Sequence, residues 1–145
     1  RRQRQMCIRD SPTADESILE QYISQVLAGL STGVFSYPAH PDLIHFTGDT
    51  AVYETHMTRF CEEIKNMGYP LELNFLGFQK GRNYPNELFW QIAAKVGNDV
   101  IIGLDAHTPK SYANKHTLQK MKKWAKHLGI TPNEQLVLQN PHSAV

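Results

Sequence analysis

Four apolar stripes at helical spacing, each closed by a glycine and most followed by a short aliphatic run, constrain this chain more than any other feature. Leu19, Tyr22, Ile23, Val26, Leu27 and Leu30 recur at helical intervals after Thr13–Glu16, which has capping-box spacing, and Gly33 ends the stripe. Val34 to Tyr37 is a strand candidate closed by Pro38. Tyr53, Met57, Phe60, Ile64 and Met67 share a second helical face that stops at Gly68, and Leu71 to Phe75 is the next strand candidate. Pro85 stands where a first helical turn accepts proline, ahead of Leu88, Phe89, Ile92, Ala93 and Val96 and then Gly97. Val100 to Leu104 is a third, nearly continuous apolar strand candidate, as expected when both faces are covered. Leu118, Met121, Trp124, Ala125 and Leu128 define a last helix ending at Gly129; beyond it, Gln135 to Leu138 is a weaker strand candidate.

Strands alternating with helices imply an α/β fold with parallel pairing, either an open doubly wound sheet or part of a (β/α) barrel. A complete barrel typically needs ~250 residues, and this chain has 145. The expectation is a domain lacking its N-terminal part. The first ten residues support that view. They carry four arginines (Arg1, Arg2, Arg4 and Arg9), against only Arg59 and Arg82 in the rest, and lack the apolar core of a signal peptide. Residues 1–10 therefore read as a non-native leader or artefact, and residues 11–145 as the fold-bearing part. Without the leader the formal charge moves from +1 to −2, so overall basicity gives no reason to expect a nucleic-acid partner. No apolar run approaches the ~20 residues of a membrane span. Two distant cysteines, Cys7 and Cys61, suggest neither a disulfide framework nor a zinc site, and the cytoplasm is the expected compartment.

In either architecture, functional groups gather at the C-terminal ends of the strands. Ala39-His40-Pro41-Asp42 follows the first strand candidate. The second carries Glu72 and Asn74 on one face, and the third runs into Asp105-Ala106-His107. Imidazole and carboxylate brought to one rim suit divalent zinc, manganese or iron, which make water a nucleophile near neutral pH. Each piece alone also fits a turn or a helix cap.

Together these segments carry a family resemblance. Tyr37-Pro38-Ala39-His40-Pro41-Asp42-Leu43, Leu71-Glu72-Leu73-Asn74 with Gly77, Tyr84-Pro85, and Ile102-Gly103-Leu104-Asp105-Ala106-His107 resemble the later motifs of the polymerase and histidinol phosphatase (PHP) family, the histidinol-phosphatase branch best. The resemblance runs from about Thr13 to Gly129. It implies the C-terminal part of a distorted (β/α)7 TIM-like barrel with a trinuclear metal site that hydrolyses phosphomonoesters. By the same resemblance His40, Asp105 and His107 are metal ligands, each serving a different ion, and Asp105 and His107 are catalytic. The family's His-x-His occurs nowhere in this sequence and is expected upstream of residue 11. Glu72 is expected beside the ligands, and Asn74 as a substrate contact. The loop Gln79-Lys80-Gly81-Arg82-Asn83 offers Arg82 or Lys80 to a phosphate.

The expected partner is a small phosphorylated substrate such as histidinol phosphate; oligomeric state is left open. Two other readings remain: a PHP-type nuclease or polymerase-associated domain, and a non-catalytic PHP-like binding domain. Lys110, Lys115, Lys120, Lys122, Lys123 and Lys126 lie in a stretch without acidic residues, from Ala106 to Asn133. No aromatic platform interleaves them, and a solvated outer face is the expectation.

Overall fold

The computed structural model describes residues 11–104 and 114–134. The leader, Asp105, His107, Lys110 and the strand candidate Gln135–Leu138 lie outside the described residues. Five helices and two strands follow in the order α1 Glu16–Ser31, α2 Thr50–Asn66, β1 Leu71–Asn74, α3 Phe75–Lys80, α4 Glu87–Val96, β2 Val100–Gly103 and α5 Lys115–His127. The two strands pair in parallel, Leu71 against Val100 through Asn74 against Gly103, with α3 and α4 in the crossover. Mixed helix and parallel strand agree with the α/β expectation.

The helices bury the stripes that the sequence marks out. Leu19, Tyr22, Ile23 and Leu30 of α1, Tyr53, Met57, Phe60 and Ile64 of α2, and Phe89, Ile92 and Ala93 of α4 join one core with Leu71, Leu73 and Val100 of the strands. Fully burying such a side chain contributes about 1.5–3 kcal/mol, so this core supplies most of the driving force. Gly68, Gly97 and Gly129 all have positive φ at helix C-termini, where an L side chain would be strained. No described helix is long and apolar enough to cross a membrane.

Four local expectations are corrected. Val34 to Tyr37 forms no strand, and Val34 and Phe35 are 68% and 54% exposed. An extended run needs a neighbour's ladder for its backbone N–H and C=O groups, and no described segment pairs with this one. The cap of α1 is Asp15, whose carboxylate accepts from Ser17 N at 2.8 Å. Thr13 is instead held by a bridge to Phe46, with Thr13 N donating to His45 O and Thr47 N to Thr13 O. Pro85 precedes the α4 cap Asn86 rather than entering its first turn, and follows a cis peptide bond. The strand from Leu71 stops at Asn74, because Asn74 caps a helix the sequence reading did not anticipate, α3: its Oδ1 accepts from Gly77 N at 2.8 Å.

Candidate functional site

Three polar residues are buried among the described ones: Asp42, Glu72 and Asn74. All three meet around the turn that begins at His40. Glu72 projects from β1 toward its neighbour β2, where Gly103 lies directly against the carboxylate; a Cβ there would collide with it. That glycine is what lets a charged side chain sit inside the sheet. Glu72 Oε2 accepts from His40 N at 2.6 Å and from Asn74 Nδ2 at 3.4 Å. A carboxylate accepting a main-chain N–H is a strong anchor, here joining a strand to a turn thirty-two residues earlier.

The turn is held from several sides. Tyr22 Oη of α1 donates to Pro41 O at 2.8 Å, and Asn83 Nδ2 donates to Leu43 O at 2.9 Å. Asp42, 1% exposed, accepts on Oδ2 from Asn86 N at 2.6 Å and from Trp90 Nε1 at 2.9 Å, so it fastens the turn to the N-terminal end of α4. The positive end of the helix dipole favours a carboxylate at that place. Burial still dominates: it pushes the Asp42 carboxyl up to about 6, against the downward pull of those hydrogen bonds. Asp42 Oδ1 is buried without a hydrogen-bond partner among the described residues.

His40 itself has φ +33°, the one non-glycine residue with positive φ among those described. Such a conformation costs on the order of 1–3 kcal/mol and persists where surroundings over-determine it, as they do here. Its ring lies 5.5 Å from the Tyr84 ring, tilted by 43°. Its Nδ1 is buried and has no hydrogen-bond partner among the described residues. Leaving a ring nitrogen so costs roughly 1–3 kcal/mol, and a metal ion or a proton donor would relieve that cost.

The structure therefore brings His40, Glu72 and Asn74 together. Asn74 is 1% exposed, with its oxygen on the α3 cap and its amide nitrogen on Glu72. Arg82 reaches the group through Tyr84: Nη1 donates to Tyr84 Oη at 3.0 Å, and the guanidinium lies 5.9 Å from the ring centroid. Tyr84 is thus wedged between Arg82 and His40, and Gly77 makes room for it, since a Cβ there would strike the ring. Lys80 is exposed at the last turn of α3, and no described contact ties it to His40 or Glu72. Sequence reasoning gave no role to Asp42, Tyr84 or Gly103. The available signals were an aspartate directly after His-Pro and a glycine inside an otherwise apolar strand.

One group of three metal-ligating side chains lies close together among the described residues: Glu16, Glu20 and His56, with ligand atoms within 4.8 Å of one another. Both glutamates are exposed, His56 Nε2 contacts Glu16 Oε1 at 2.7 Å, and no orphaned polar atom faces the cluster. It is a surface hydrogen-bonded contact between a histidine and exposed carboxylates. No protein-family model, curated protein or solved structure matches this chain.

Proposed function

We propose that this chain is the C-terminal part of a PHP-type metal-dependent phosphoester hydrolase of the histidinol-phosphatase kind. The observation that carries the reading is His40, held at positive φ in a turn locked by Glu72 and Asp42, with a buried Nδ1 that lacks a partner. That is a donor set aside, and it stands in the motif run on which the family resemblance rests. A distorted (β/α)7 barrel would accommodate the parallel pair β1–β2 as two of its strands.

His40, Asp105 and His107 would hold divalent zinc, manganese or iron in a trinuclear site, with the remaining ligands upstream. The metal would supply positive charge to activate water and to neutralise the phosphate. The chain's own residues then have separate tasks. Glu72 fixes the backbone of His40, and Tyr84 limits the tilt of its ring. Arg82, steadied on Tyr84, offers a guanidinium to the phosphate of a small phosphorylated substrate; Lys80 is the alternative cation. Asn74, expected as a substrate contact, is instead buried with its oxygen on the α3 cap and its nitrogen on Glu72. Action in cytoplasmic histidine biosynthesis follows from the same reading.

Because each ion would receive one ligand from this chain, the 145 residues alone should neither retain metal through dialysis nor hydrolyse histidinol phosphate. Joining the upstream segment of a histidinol phosphatase should restore both. The measurement is metal content and phosphate release in excess manganese or zinc. Turnover by the chain alone, abolished by Asp105→Ala, would show the site complete as it stands. A joined protein that loads metal but releases no phosphate would remove the hydrolase reading.

A further inference from the structure

The overall charge gives no reason to expect a polyanionic partner, but the distribution of charge on the folded surface does. The exposed positions of α5 are five lysines, two histidines and one glutamine. None is acidic and none apolar. The lysines are Lys115, Lys120, Lys122, Lys123 and Lys126, and no carboxylate among the described residues pairs with any of them. At 100° per residue, Lys115, Lys122 and Lys126 fall within about 40° of one line along the helix, spanning roughly 16 Å. Lys123 and Lys120 lie about 80° and 140° round the helix from that line, on one side of it.

The opposite face is already occupied. Met121 and Ala125 are buried in the core, and Trp124 packs on Phe78 of α3 with ring centroids 6.0 Å apart. On that side Arg82 and Trp124 line one small cleft of about 210 Å³ between α3, the following loop and α5, turned away from the line of Lys115, Lys122 and Lys126. Glu87 is the one acidic residue lining that cleft.

The chemistry of the exposed face selects among polyanions. A membrane-surface helix buries aromatic or aliphatic residues between lipid headgroups, and the α5 apolar side is spent on the protein's own core. A protein partner would be gripped through aromatic or aliphatic anchors at the patch centre, and none is exposed. Single-stranded nucleic acid requires aromatic platforms for its bases, whereas Trp124 is engaged by Phe78. What remains is a partner recognised by regularly spaced negative charge alone. We infer that the lysine face of α5 docks the phosphate backbone of a nucleic-acid duplex without reading its sequence. This surface does not depend on the phosphoesterase reading.

Fluorescence anisotropy of the full chain with labelled 20-bp DNA duplexes of two unrelated sequences, and with an RNA duplex, tests it. Three aligned lysines correspond to a log–log salt slope near −2.7 on DNA, roughly a 40-fold loss of affinity between 50 and 200 mM salt, equal for both sequences. Lys122→Glu combined with Lys126→Glu should weaken binding at least about tenfold at 50 mM salt with helix content and Tm unchanged. The milder Lys122→Gln/Lys126→Gln pair should fall between. Lys95→Glu on α4 should bind as the parent does, and so should a chain with Arg1, Arg2, Arg4 and Arg9 changed to glutamine. No binding at 50 mM salt would overturn the proposal, as would binding that follows the leader arginines or falls equally with Lys95→Glu. Tighter, α5-dependent binding to phosphatidylserine vesicles or to polyglutamate would reassign the face to a membrane or a protein.

Discussion

Two neighbouring segments, Val34–Tyr37 and His40–Leu43, fare in opposite ways. The first is apolar and β-branched at its start, yet it joins no strand ladder among the described residues, with Val34 and Phe35 in solvent. The second holds a histidine, a proline and an aspartate, and it is the better-anchored of the two. Its backbone and side chains are held by Tyr22 of α1, Glu72 of β1, Asn83 of the loop after α3, and Asn86 and Trp90 at the start of α4. Hydrophobicity gives a segment a reason to leave water but no geometry. Directional partners arriving from several elements give it one place to be.

The largest expected effect is at Trp90. Trp90→Ala removes a fully buried indole and one of the two donors to Asp42, and should cost about 3–5 kcal/mol, read from the urea midpoint. The loss should unfasten the His40 turn along with the core, so hydrogen exchange at the His40 amide should accelerate together with that of α4.

Asp42→Asn changes how the anchored turn responds to pH. The folded-state value of Asp42 is raised from 3.8 to about 6, so the native state holds the proton more tightly than the unfolded chain does. For this group stability is greatest below about pH 4, falls as pH rises toward about 6, and stays reduced above that. The full effect is on the order of 3 kcal/mol. Asp42→Asn should abolish this slope, so the variant's stability relative to the parent should rise between pH 4 and 6 and then level off. Parallel pH profiles for the two proteins would mean that the carboxylate is stabilised in place as an anion.

Gly103→Ala tests whether the Glu72 anchor depends on the bare backbone opposite it. The added methyl has to displace the carboxylate from its bond to His40 N, at a cost of about 1–3 kcal/mol. Pairing it with Glu72→Ala should recover part of that cost, a coupling that a double-mutant cycle would measure. The smallest effect belongs to the exposed segment. Val34→Ser with Phe35→Ser should change stability by less than about 0.5 kcal/mol, and a larger loss would place that segment against a surface beyond the described residues.

Much of the helical frame was legible without the structure. Stripes of apolar residues with a glycine behind them are local signals, and Gly68, Gly97 and Gly129 all sit at helix ends with positive φ. The grouping of His40 with Glu72 and Asn74 was anticipated for a different reason, a shared rim of strand ends; no described strand precedes His40, and its turn is brought there by the bond from His40 N to Glu72. Local reading missed α3, whose six residues depend on one Asn74 cap, and misplaced the start of α1, where Asp15 displaced Thr13. A cap is settled by the backbone path around it, and Thr13 is drawn off by a bridge to Phe46.

The four longer helices, α1, α2, α4 and α5, with their approximate ends and inward faces, follow from the sequence, because those properties depend on residues within a few positions of one another. Tertiary structure alone decided that Val34–Tyr37 would find no ladder, that Asp42 would be buried against Trp90, and that His40 would be held at positive φ with Nδ1 left unpaired. Each of those outcomes depends on groups brought from thirty or more positions away, or on their absence, and no periodicity along the chain encodes where such groups arrive.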